Sequence, residues 1–99
     1  MARYTLAVFS DARPGTENEF NEWYTNRHLP DILNVPGFVS ATRLKAEDPS
    51  GLPGRYLALY EIDTDDPVEA INRLRAANLY VSETLDKSCS KSVMYRNIR

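Results

Sequence analysis

The stretch "RYLALYEID", Arg55 to Asp63, constrains this chain more than any other. Read with the period of a β-strand, one side carries Tyr56, Ala58, Tyr60 and Ile62, and the other carries Leu57, Leu59 and Glu61. A strand that is apolar on one side needs one covering layer; this strand needs two. "RYTLAVFS" repeats the pattern, with Tyr4, Leu6 and Val8 on one side and Thr5, Ala7 and Phe9 on the other. A chain of 99 residues has helical material enough for one face of such a sheet. The second face calls for a partner, and a second copy packed sheet to sheet is the economical one.

Two helices are expected. After the turn signal "DARPG", Thr16 with Glu19 three residues on reads as a capping box, the hydroxyl and the carboxylate each satisfying an early amide. Phe20, Trp23, Tyr24, His28 and Ile32 then recur at helical spacing, giving an aromatic stripe that faces inward. Pro30 is expected to end or kink this helix, because proline has no amide hydrogen and disfavours helical geometry at Leu29. "PGFVSATRLKAE" reads as a turn followed by a strand from about Phe38, and "DPSGLPG" as a loop. Asp66 ahead of Pro67, with Glu69 beyond, starts a second helix. Its stripe of Ile71, Leu74, Asn78, Val81 and Leu85 breaks at Asn78 into an expected short second piece. "SKSVMYRNI" closes the chain as a strand, which Cys89 would open as a small buried residue rather than a nucleophile. No linker or repeat divides residues 1–99, so a single domain is expected. The order β-α-β-β-α-β is the ferredoxin-like α+β arrangement: a four-stranded antiparallel sheet with both helices on one face.

Composition removes several function classes. A formal charge of -2 with scattered Arg and Lys gives no electrostatic reason to approach nucleic acid or an anionic membrane surface. No apolar run approaches the ~20 residues of a membrane span. A single cysteine rules out an intrachain disulfide. "MARYTLAVFS" has no leader pattern, and a cytoplasmic protein is expected. One His, one Cys and dispersed carboxylates match no metal-ligand spacing. Neither a GxGxxG run nor a P-loop is present, so neither a metal nor a cofactor is expected.

The candidate chemistry gathers around "EFNEWYTNRHLPDI", which holds the only Trp and the only His. His28 would titrate near neutrality, with an unperturbed pKa of ~6.5, and so act as general base or acid. Its bland reading is a satisfied core histidine. Pro30 favours the first, since it frees the carbonyl of Asn26 and opens the chain beside the imidazole. A helix end would favour the imidazolium and the aromatic surroundings the neutral ring, leaving the direction of its pKa shift open. Tyr24 and Tyr60 are candidate donors to a carbonyl or enolate oxygen, or else large core residues with a polar tip. Tyr56, Ala58 and Tyr60 leave a gap between two aromatic rings, fit for a flat substrate ring or for packing under Trp23. Phe20 and Trp23 would line the pocket wall. Arg43 would neutralise a substrate carboxylate or make an edge or interface ion pair.

The run Trp23-Tyr24-x-x-x-His28-x-Pro30, the Pro36-Gly37-Phe38 entry to the second strand, and the strand "RYLALYEID" resemble the dimeric α+β barrel superfamily, within it the EthD-like group. The resemblance covers nearly the whole chain. It implies a homodimer closed through the sheets, a small-molecule pocket between helices and sheet, and a functional role for His28. The second active-site histidine of some cyclases in that superfamily has no counterpart here. Together these readings predict a cofactor-independent enzyme of lyase, dehydratase, isomerase or cyclase type acting on a small aromatic or polyketide-like molecule. Two alternatives stand beside it: a cofactor-free monooxygenase of an aromatic substrate, and a non-catalytic small-molecule binding protein.

Overall fold

A computed structural model describes residues 2–98. The chain runs β1 (Ala2–Ser10), α1 (Glu17–Trp23), a π-helical turn (Tyr24–His28), α2 (Leu29–Leu33), β2 (Phe38–Lys45), β3 (Tyr56–Thr64), α3 (Pro67–Ala76), a 3-10 turn (Lys87–Cys89) and β4 (Lys91–Arg96). The four strands form one sheet in the order β2-β3-β1-β4, and every pairing is antiparallel. This is the ferredoxin-like α+β architecture expected from the sequence.

Register assigns the two sheet faces. Tyr4, Leu6 and Val8 lie opposite Ile62, Tyr60 and Ala58, and residues directly opposite in a sheet share a face. Those side chains meet Phe20, Tyr24 and Ile32 from the helices in one buried core. Thr5, Ala7 and Phe9, paired with Glu61, Leu59 and Leu57, lie on the other face, together with Leu44 and Tyr95, which are exposed.

Several local expectations need correction. Thr16 stands at the start of α1, and its carbonyl accepts the first helical bond from Phe20. Its hydroxyl, however, donates back to the Arg13 carbonyl at 2.7 Å and caps nothing. Asp66 behaves as expected, accepting from the amides of Val68 and Glu69 at 3.0 and 3.2 Å. Pro30 does not end the first helix. The π turn widens the coil just before it, with the Leu29 amide reaching the Tyr24 carbonyl, and Pro30 then sits in the first turn of α2, where no amide hydrogen is needed. The piece expected beyond Asn78 is not helical. Asn78 has a φ of 48°, a left-handed value that stops α3, and the chain continues in irregular form with Val81 exposed. Cys89 lies in the 3-10 turn ahead of β4 rather than in the strand, half-buried with its thiol toward Asp86.

Candidate functional site

His28, Tyr24 and Tyr60 meet at one cavity of about 230 Å³ between the helices and the sheet. The π turn supplies the first two side chains and β3 the third. Apolar walls come from β1 through Leu6 and Val8, and from α3 through Ile71 and Leu74. Burial orders the cavity from floor to mouth. Tyr24 and Tyr60 are 2% and 1% exposed; Arg75, Ser90 and Ser92, which also line it, are exposed.

The two phenols are hydrogen-bonded, Tyr60 donating to Tyr24 at 3.0 Å. That bond fixes their division of labour. Tyr60 has spent its proton inside the protein, whereas Tyr24 keeps its own to give. Burial raises the pKa of both. For Tyr60 the proximity of Tyr24 and the donated bond push in the same upward direction. For Tyr24 the bond received from Tyr60 and the nearby Arg43 charge oppose the rise. Tyr24 is therefore the phenol better able to carry or share negative charge.

The imidazole of His28 is held by rings. It stacks on Trp23 with centroids 4.6 Å apart and interplanar angle 29°, and it meets Tyr24 edge to face at 4.8 Å. Its Nδ1 is buried without a hydrogen-bond partner among the described residues. No carboxylate or carbonyl among them orients the ring through that nitrogen, so its tautomer is free to suit whatever binds. The competition left open by the sequence is resolved: the pKa is lowered, first by burial and further by the Arg43 charge, against an upward pull from Asp31. His28 is not at a helix end, because the chain continues into α2, and the helix-terminus field that would have favoured the imidazolium is lost.

The remaining candidate residues fall elsewhere. Phe20 is fully buried in the core and Trp23 backs the imidazole; neither lines the cavity. Tyr56 accepts a hydrogen bond from Asn21 at 3.2 Å and, with Arg43, faces a separate surface cleft. The gap above Ala58 is filled from within the protein. Arg43 lies opposite Ala58 in the register, and its guanidinium carbon sits 4.4 Å from the Tyr24 ring centre and 5.4 Å from that of Tyr56. The expected edge ion pair is not made among the described residues. One Nη donates to Thr25 at 3.2 Å, and the other is buried without a partner. Burial lowers the Arg43 pKa, while the surrounding phenols hold it up. Arg75, Ser90 and Ser92 escaped the sequence reading: serines alternating on a short terminal strand look like a solvated face. Their signal lay in the pairing of Ser92 with Val8, which puts it on the helix-covered side.

No cluster of three or more His, Cys, Asp or Glu side chains suited to a metal ion occurs among the described residues. Among them, too, no helix is long and apolar enough to cross a membrane.

Comparison with solved structures identifies the fold. A candidate monooxygenase from Shewanella loihica PV-4 superposes with a TM-score of 0.65 at 23% identity, over 99% of this chain and 96% of that one. An MhuD variant described with two manganese protoporphyrins per active site gives 0.65 at 14% identity, over 98% and 95%. An ethyl tert-butyl ether degradation (EthD) family protein from Bacillus halodurans gives 0.59 at 15% identity, over 99% and 100%. Likeness at such identities establishes fold, and the fold is that of the α+β barrel proteins, the EthD type among them. No family model matches the chain. Core atranone cluster protein 1 of Stachybotrys chlorohalonatus is 46% identical over 46 residues, a match spanning 46% of this chain and 19% of that protein.

Proposed function

We propose that this protein is a cofactor-independent acid/base enzyme acting on a small aromatic or polyketide-like molecule, as a lyase, dehydratase, isomerase or cyclase. The observation that carries the reading is the imidazole of His28, its Nδ1 buried without a hydrogen-bond partner among the described residues, beside a phenol, Tyr24, whose proton is free to be donated. His28 removes a proton activated by a neighbouring carbonyl or phenol. Tyr24 hydrogen-bonds the oxygen on which charge develops, and Tyr60 stabilises Tyr24 as that charge is shared. Positioned proton transfer contributes about 10²–10⁴-fold and an oxyanion donor about 10²–10³-fold, enough for chemistry at an already acidified carbon. The cavity, about 230 Å³ and open at its mouth, suits a substrate of one or two rings. The partial relative's place in the core atranone cluster supports work on a small molecule.

The description of the Shewanella protein favours a second reading, in which the same proton removal creates an anion that reacts with oxygen. Fold alone does not choose between the two. Oxygen uptake that depends on substrate and is lost in His28→Ala selects the monooxygenase, and turnover without uptake selects the first reading. A ligand that shifts the imidazole signals of His28 without any turnover would reduce the protein to a binding module. The solution form we propose is a homodimer closed through the sheet face that the helices leave open.

A further inference from the structure

We propose that the substrate is a hydroxy- or oxo-aromatic acid, bound with its reacting oxygen at Tyr24 and a carboxylate at the cavity mouth, held by Arg75 with Ser90 and Ser92. This rests on the cavity as the reaction site and adds the substrate's second polar group. The chemistry of the wall is one-sided. Its one formal charge is the guanidinium of Arg75, no Asp or Glu lines it, and Arg75 has no carboxylate partner among the described residues. Charged arginines on helices commonly pair with a neighbouring acid, as Arg73 does with Glu69 one turn before it at 3.0 Å. Arg75 instead lines both this cavity and the groove between α3 and Met94 of β4, so it stands where the cavity opens toward the sheet edge.

The sheet supplies the spacing. Tyr60 and Ser92 lie opposite neighbouring core residues of β1, Leu6 and Val8, on the strands that flank it to either side. Two strand spacings across and two residues along separate them, about 12 Å between backbones, and the Leu6–Val8 surface between is apolar. An occupant that satisfies both ends is an elongated flat acid, its oxygen at the buried floor and its anion at the exposed mouth. The serine hydroxyls complete the anion's hydrogen bonding where one guanidinium leaves lone pairs over.

The test uses the full chain and three probes: a hydroxynaphthoic acid with its hydroxyl and carboxylate at opposite ends of the ring system, its methyl ester, and naphthol. Binding is read from the nitrogen and proton shifts of the single imidazole. The acid is expected to bind about ten-fold tighter than the ester, the lower end for a charge-assisted hydrogen bond, with the advantage shrinking as salt rises. Arg75→Gln should bring the acid to the ester's affinity and leave ester and naphthol unchanged. Equal affinity of acid and ester, with both shifting His28, would overturn the proposal and leave the cavity reading intact. So would an advantage of the acid that survives Arg75→Gln undiminished, whether the substitution weakens all three probes alike or none of them. Failure of every probe to move the imidazole would remove the cavity as the site, and this proposal with it.

Discussion

Burial holds the pKa of His28 down, and this has consequences on both sides of its titration. Its folded pKa lies below the ordinary ~6.5. As a base, it is active when deprotonated, so kcat/KM should rise with pH through that lowered value and stay flat above it; a general acid would give the opposite slope. Stability follows the same sign. Between the folded pKa and ~6.5 the unfolded chain binds the extra proton, so stability rises with pH across that window. The full contribution is present above ~6.5 and is lost as pH falls through the folded value. Denaturation midpoints measured at successive pH values should show this slope in the wild type, and His28→Gln should flatten it. Arg43 is the second residue whose position asks for an explanation. A guanidinium with one nitrogen buried and unpartnered costs stability, and what it gains is a place over the Tyr24 ring. Arg43→Met keeps the bulk above Ala58 and removes the charge. Catalysis should drop by roughly ten-fold, the scale of one cation–ring interaction of about 1–2 kcal/mol, while the denaturation midpoint holds or rises. The tyrosine absorbance titration should shift to higher pH in the variant, as Arg43 opposes the raised Tyr24 pKa. A fall in stability with unchanged rate would make Arg43 a packing residue only.

At the scale of elements, the two helix starts offer a paired comparison. Asp66→Ala removes an acceptor of two amides and should cost about 1 kcal/mol in urea denaturation. Thr16→Ala removes only a bond to the Arg13 carbonyl and should cost well under half as much. Both positions carry a small polar residue with Glu three further on, and the conformation of the cap residue itself separates them, φ −119° and ψ 17° at Thr16 against φ −136° and ψ 99° at Asp66. The strands were legible because alternation is a local property: the two sides of "RYLALYEID" are the two faces of β3. Pro30 misled because a missing amide is costly in the interior of a helix, whereas after the π turn Pro30 falls in the first turn of α2. The floor of the site was legible in the aromatic stripe. Its mouth was not, since Arg75, Ser90 and Ser92 come together only when α3 crosses β4. Nor was the filling of the gap above Ala58, which required the register that sets Arg43 opposite it.

The whole molecule has one face without a cover. Ala7, Phe9, Leu57, Leu59 and Val93 run across the centre of the sheet on the side away from the helices. Leu44 and Tyr95 lie on the same side at the outer strands, 46% and 54% exposed. Apolar surface of this kind on a chain so small is costly to leave in water. The polar cluster of Thr5, Glu61 and Asn97, joined by hydrogen bonds of 2.7 to 3.1 Å, lies toward one end of the face and leaves its middle dry. A second copy offers the same apolar patch to itself, as a two-fold interface requires. Sedimentation at micromolar concentration should therefore give twice the chain mass. Leu59→Asp would place an unpaired charge at the centre of that contact, a penalty of about 3–5 kcal/mol if buried, and should yield monomers. Because the cavity lies on the opposite face, a folded monomer should still show ligand-induced shifts at His28. A wild-type protein that sediments as a monomer would instead mean that this face meets a different partner or stays wet, and the barrel would not close.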